Sequence, residues 1–175
     1  MARLLVVHHS PTRSVRALTD AVLAGAGDDA LEGVEVVERP ALEATADDVL
    51  GCDGVVLGTP ANFGYMSGAL KHFLDSTFLS IGGALGDDGG TGGATGGGDP
   101  VSPTVPPAGR GRLPFGLYVH GRYDTEGAVR SVLAITGALP WRRSAEVLAV
   151  LGDVGDADLA GAHELGGTIA ALAAG

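Results

Sequence analysis

The sequence predicts an α/β domain, a five-stranded parallel sheet with helices on both faces. Three observations lead there. Short apolar runs alternate with segments of helical period, five of each along the chain. Charges fall inside the second and fifth runs but not the others, which makes those two the sheet edges. That selects the strand order 2-1-3-4-5 over one with the third strand at an edge. Finally, the first run passes through a hydroxyl-rich turn into a helix, an arrangement that turns backbone amides toward an anion.

The first strand is Leu4-Leu5-Val6-Val7, and the turn after it is His8-His9-Ser10-Pro11-Thr12-Arg13-Ser14. From Val15 the spacing is helical, with Leu18, Val22, Leu23 and Ala26 on the same face, and Ser14 is the expected N-cap. Gly27-Asp28-Asp29 ends that helix, and Val34 to Glu38 reads as the second strand, bounded by Pro40. A short helix is expected over about Leu42 to Leu50, with Asp47 and Asp48 outward. The third strand is Gly54-Val55-Val56-Leu57-Gly58. Thr59 to Met66 then forms a turn-rich loop, and Ser67 caps a helix with Leu70, Phe73, Leu74 and Phe78 inside. Phe115 to Val119 is the fourth strand, followed by the loop His120 to Asp124. Thr125 is placed to cap the next helix, whose inner face is Val129, Val132, Leu133 and Thr136. Ala145 to Leu151 is the fifth strand, and a last helix opening near Asp156 turns Ala162, Leu165, Ile169 and Leu172 inward.

At 175 residues and 45% hydrophobic content, residues 1–175 are expected to form one domain. Within it, residues 82–111 hold twelve of the thirty glycines and four prolines with almost no large apolar side chain, the composition of a flexible insertion. Eleven basic against twenty-one acidic residues give a charge of -10, which argues against nucleic acid or an anionic membrane as a partner. The single cysteine, Cys52, and the lack of a signal-peptide pattern point to the cytoplasm.

For the 2-1-3-4-5 order, ligands belong at the switch point between the first and third strands. There, Ser10, Thr12 and Ser14 offer hydroxyls, and Arg13 and Arg16 offer positive charge, a set suited to a phosphate monoester. The plainer alternative leaves Ser14 as a cap and the other hydroxyls in water. Neither G-x-G-x-x-G nor G-x-x-x-x-G-K-[ST] is present. Cys52 lacks the arginine six residues on that a cysteine phosphatase needs, and a phosphoacceptor receiver would need acids where His8-His9 and Gly58-Thr59 stand. His8 and His9 alternate along a strand end, so they point to opposite faces and do not chelate one metal.

The turn Ser10-x-Thr12-x-Ser14, the segment Gly58-Thr59-Pro60-Ala61-Asn62-Phe63-Gly64-Tyr65-Met66-Ser67-Gly68 with Leu70-Lys71-x-Phe73-Leu74-Asp75 after it, and the third loop at 120–124 resemble the flavodoxin-like FMN-binding family. The resemblance is nearest to its NAD(P)H-dependent FMN oxidoreductases and WrbA-type quinone reductases, and it covers most of the chain outside 82–111. It implies a flavodoxin-like three-layer sandwich. It also implies FMN as cofactor, NADH or NADPH as transient co-substrate, and a quinone, flavin or similar small acceptor; the alternative is an electron carrier docking on redox proteins.

By the same resemblance Ser10, Thr12, Arg13, Ser14 and Val15 surround the FMN phosphate. Pro60, Ala61, Asn62, Phe63, Gly64 and Tyr65 border the flavin ring, and His120, Gly121, Arg122, Tyr123 and Asp124 close its other side. An isoalloxazine needs an aromatic wall with backbone groups at its polar edge, which Phe63, Tyr65 and Tyr123 beside glycines supply. The competing expectation is that Phe63 and Tyr65 pack loop against sheet. Tyr123 or His120 is the candidate proton donor. Arg13 stands where flavodoxins usually have glycine, and the 82–111 segment lacks the tryptophan of the WrbA type. That segment leaves from the sheet end opposite the flavin, so any part it takes in catalysis is expected across a homo-oligomer interface.

Overall fold

Strands whose successive side chains enter opposite cores are what build the molecule. In β1 (Ala2–His8), Leu5 and Val7 face one core while Leu4 and Val6 face the other, and all four are fully buried. The computed structural model describes residues 1–83 and 112–175. The glycine- and proline-rich segment expected at 82–111 lies, beyond Gly83, outside the described residues.

The remaining elements are α1 (Arg13–Ala26), β2 (Val34–Pro40), α2 (Ala46–Leu50), β3 (Gly54–Asn62), β4 (Tyr65–Met66), α3 (Gly68–Thr77), β5 (Leu113–Gly121), α4 (Glu126–Thr136), β6 (Trp141–Arg143), β7 (Leu148–Leu151) and α5 (Asp156–Ala174). The strand order is β2-β1-β3-β5-β6, with β7 also on β5 and the short β4 antiparallel to β3. β1 pairs parallel to both β2 and β3, and β3 pairs parallel to β5. Counting β6 and β7 as one interrupted edge strand, this is the expected 2-1-3-4-5 order.

One core lies under α1 and α5, built from Leu4, Val6, Val56, Val15, Leu18 and Ile169. The other lies under α2, α3 and α4, built from Leu5, Val7, Leu57, Phe73, Leu117 and Val132. The sheet is thus sandwiched between two helical layers.

Several expectations need correction. The fifth strand, expected over Ala145 to Leu151, is two pieces, β6 and β7. Trp141, Arg142 and Arg143 pair with Leu113, Pro114 and Phe115, and the Trp141 ring lies 5.7 Å from Phe115. Arginines fit there because an edge strand leaves them in solvent. The third strand does not stop at Gly58 but runs to Asn62, and the second helix is only Ala46–Leu50, capped by Thr45. Asp48 turns back to accept from the Thr45 N–H, so it does not point freely outward. Leu172, expected inside α5, is 42% exposed.

Candidate functional site

The carboxyl ends of β1, β3 and β5 bring three loops to one edge of the sheet. The loop after β1 is the first, and its helix cap is Thr12 instead of the expected Ser14. Thr12 has an extended backbone, and its Oγ1 accepts from the Val15 N–H at 3.4 Å. Ser14 is inside the first turn. Among the described residues, the amides of Ser10, Thr12, Arg13 and Ser14 have no acceptor, nor does the Ser14 hydroxyl. Arg13 is exposed and has no ion-pair partner among the described residues. Unengaged amides, a hydroxyl and a guanidinium at the positive end of a fourteen-residue helix form a donor set that fits a phosphate group.

Two expected contributors behave differently. Arg16 is not a free charge: its Nη1 lies 2.7 Å from Glu38 Oε1 and its Nη2 lies 2.7 Å from Asp20 Oδ1, and these bonds raise its pKa further. Ser10 is already engaged, since its Oγ lies 2.8 Å from His8 Nδ1 and 2.7 Å from Thr19 Oγ1. His8 in turn places Nε2 3.0 Å from Glu38 Oε1. In the sequence His8 is no more than a strand-end residue beside His9, and nothing there signals this chain of contacts.

Burial holds His8 below its ordinary value of 6.5, with Glu38 pulling the other way. The sign follows from the unfolded chain, which binds the proton more readily than the fold does between the depressed value and 6.5. His8 therefore favours the folded state above pH 6.5, and that contribution declines as pH falls through the window below it. Urea midpoints of wild type and His8→Asn at pH 7.5 and pH 5.5 are expected to show a steeper acid loss in wild type.

The second loop is a hairpin between β3 and β4. Asn62 pairs with Tyr65, leaving Phe63 (φ 51°) and Gly64 (φ 75°) as a two-residue turn with both residues left-handed. That conformation is uncommon for a bulky aromatic residue. The Phe63 side chain is fully exposed and Tyr65 is 45% exposed, so neither is buried between loop and sheet. Pro60 is buried and Ala61 half-buried within β3. Thr59 holds the hairpin's far side, its Oγ1 accepting from Ser67 N–H at 2.9 Å.

The third loop presses against the second. A Cβ on Gly127 would lie 1.9 Å from the Gly64 carbonyl oxygen, and one on Gly64 would lie 2.9 Å from Asp124 Oδ2. Thr125 occupies the cap position of α4 without its hydroxyl capping; Asp124 Oδ1 accepts from Glu126 N–H instead. His120 Nε2 donates to the Gly152 carbonyl at 2.7 Å, and Gly152 N–H donates back to Gly121 O. Arg122 pairs with Asp153. His120 is thereby tied to the neighbouring loop, whereas Tyr123 is 90% exposed. Among the described residues, the exposed aromatic residues Phe63, Tyr65 and Tyr123 all belong to these two loops.

The model of the NADPH-dependent FMN reductase family matches residues 13–98. A flavodoxin of Aquifex aeolicus is 34% identical over 85 residues, 49% of this chain and 45% of that protein. An NAD(P)H dehydrogenase (quinone) of Acidithiobacillus ferrooxidans is 31% identical over 97 residues, 44% of this chain and 48% of that protein. The chain thus spans about half the length of the curated relatives it matches. A solved flavodoxin from the domain Archaea superposes with a TM-score of 0.72 at 14% identity, over 99% of each chain, a likeness of fold. Fold and sequence matches agree: the chain has the flavodoxin-like fold, and about half of it is similar in sequence to the NADPH-dependent FMN reductase family and to flavodoxins.

Proposed function

We propose that this chain binds FMN and uses it to pass electrons from NADH or NADPH to a quinone, a free flavin or a similar small acceptor. The observation that carries the reading is one of placement. Unengaged amides at Thr12, Arg13 and Ser14 share a sheet edge with three displayed aromatic side chains, in a chain only 5% aromatic. A polar phosphate end and a flat apolar wall match the two ends of FMN. The family match and the NAD(P)H dehydrogenase (quinone) among the relatives support the same chemistry.

In this reading Ser10, Thr12, Arg13, Ser14 and Val15 hold the phosphate. Ala61 to Tyr65, with Pro60 behind them, orient one side of the ring, and His120 to Asp124 border the other. FMN when bound supplies the hydride and electron chemistry, so no side-chain acid or base is required. Of the two candidate proton donors, Tyr123 is the one left free beside the ring, because His120 is committed to Gly152.

A second reading, an electron carrier between proteins, draws on the charge of -10, which favours docking on basic partners. Purified protein reconstituted with FMN and mixed with NADH or NADPH and a quinone separates them. Steady nucleotide oxidation is expected; none without a partner reductase would favour the carrier. A protein that leaves the FMN spectrum and fluorescence unchanged would overturn both.

Arg13→Ala combined with Ser14→Ala removes a charged and a neutral donor from the phosphate end. FMN affinity is expected to fall by roughly 1–3 kcal/mol while riboflavin, which has no phosphate, binds as before. Fluorescence titration with both flavins checks this; equal losses for the two would place the phosphate elsewhere.

A further inference from the structure

Beneath the loop after β1 runs a hydrogen-bonded chain whose direction follows from its two ends. At the inner end the Tyr118 hydroxyl, fully buried, lies 2.6 Å from Thr19 Oγ1. Burial pushes its pKa well above the ordinary value, against the Thr19 and Ser10 hydroxyls, so it keeps its proton, and among the described residues Thr19 Oγ1 is the oxygen that proton reaches. At the outer end Glu38 Oε1 takes hydrogen bonds from Arg16 and faces His8 Nε2. A carboxylate there requires the proton on Nε2, which leaves Nδ1 of the neutral ring as an acceptor.

Between these ends, Ser10 donates to His8 Nδ1 and Tyr118 to Thr19, and the 2.7 Å contact between Thr19 and Ser10 is bridged when Thr19 donates to Ser10. Thr19 also has the Val15 carbonyl 3.0 Å away as an alternative acceptor. With either acceptor for Thr19, the Ser10 hydrogen points inward to His8, away from any ligand of the loop. A proton added to His8 Nδ1 reverses that one bond. Nδ1–H then donates to Ser10 Oγ, and with Thr19 donating to the same oxygen the Ser10 hydrogen is released toward the loop.

We propose that His8, Thr19 and Tyr118 are positioning residues for the phosphate end of the site: they set the direction of the Ser10 hydroxyl, and protonation of His8 turns it outward as a donor. The inference rests on the reading that the loop at 10–15 holds the FMN phosphate. The groups facing His8 are known on each side. Glu38 of β2 favours the proton, Arg16 of α1 and the adjacent His9 oppose it, Gly58 of β3 is neutral, and Tyr118 of β5 acts through Thr19 and Ser10. By linkage, an anion that draws on the Ser10 hydrogen raises the affinity of His8 for its proton.

The test is an NMR pH titration of the His8 ring, identified by its loss in His8→Asn, in the apoprotein and with FMN or riboflavin. FMN is expected to raise the His8 pKa, riboflavin to leave it unmoved, and Ser10→Ala to remove most of the FMN-induced rise. Ser10→Ala breaks the hydrogen-bonded link while every charge stays in place, so a rise that survives it in full would be bare electrostatics and would overturn the proposal. Tyr118→Phe provides a second measure. It frees Thr19 to accept from Ser10, and FMN affinity is expected to fall roughly threefold to tenfold with riboflavin affinity unchanged. Thr19→Ser should retain wild-type behaviour where Thr19→Val does not. Wild type that prefers FMN to riboflavin while His8 titrates identically with either sinks this inference alone. Equal affinity for the two flavins sinks the phosphate reading and this inference together.

Discussion

Gly58→Ala is expected to be among the most destabilising single-methyl changes in the protein. Gly58 lies in the middle of β3, and a Cβ there would sit 2.0 Å from Tyr118 Cζ and 2.1 Å from its hydroxyl oxygen. Tyr118 is fully buried on the adjacent strand β5, where Gly58 is its paired residue. Its ring is enclosed by the α1 and α5 core, which resists any displacement. Overpacking of this kind costs about 1–3 kcal/mol, and displacing the hydroxyl from Thr19 adds about 1 kcal/mol for the lost buried hydrogen bond. Urea denaturation should show the midpoint falling at constant slope. The cause is separable by a double-mutant cycle. Tyr118→Leu is itself destabilising, but in its background Gly58→Ala should cost less than about 1 kcal/mol, because the methyl then fills the space the ring vacates. Additive costs would mean that the methyl collides with something other than Tyr118.

How far the fold could be read follows from which signals are local. Leu4 to Val7 and Val55 to Leu57 are wholly apolar runs, and only a strand covered on both faces makes use of that; their central position was therefore legible. Glu35 and Glu38 marked β2 as an edge by the same logic. Trp141 to Arg143 was not legible as a strand, since two arginines and a serine after Pro140 have the composition of a loop. Pairing with Leu113 to Phe115 overrides that composition, and the edge position leaves the charges hydrated. Thr12 displaced Ser14 as the cap by two residues because both are good caps and only the backbone decides.

At the site, residue types were legible and their commitments were not. Serine, threonine and arginine in a turn look alike whether or not they have partners. Whether they do depends on residues far away in the chain. Arg16 finds Glu38, twenty-two residues on, and Thr19 finds Tyr118, ninety-nine residues on. The aromatic residues of the wall came with the family resemblance, whereas the two-residue hairpin turn that projects Phe63 outward was not legible, since 59–66 reads only as a turn-rich loop.

Gly127→Ala is expected to disable the ring side of the site while leaving the fold nearly as stable. Alanine in place of glycine within a helix is ordinarily favourable by up to about 1 kcal/mol. Here the new Cβ would stand 1.9 Å from the backbone oxygen of Gly64, so the hairpin must withdraw by more than an ångström. The hairpin is the part that yields: β4 is two residues long, whereas α4 is anchored by buried Ala128, Val132 and Thr136. The helical gain then offsets the loss of hairpin contacts, and the unfolding midpoint should move by less than about 1 kcal/mol. Flavin affinity should not be spared, since Phe63 and Tyr65 move with the hairpin. A loss of at least about tenfold is expected, equivalent to about 1.4 kcal/mol. It should fall equally on FMN and riboflavin, the opposite of the Arg13 and Ser14 pattern, because the ring and not the phosphate loses its support. Gly68→Ala at the start of α3, where a Cβ meets nothing within 4 Å, supplies the matched control and should leave both affinities unchanged. Full flavin affinity in a folded Gly127→Ala protein would mean that the hairpin at 62–65 does not border the ring.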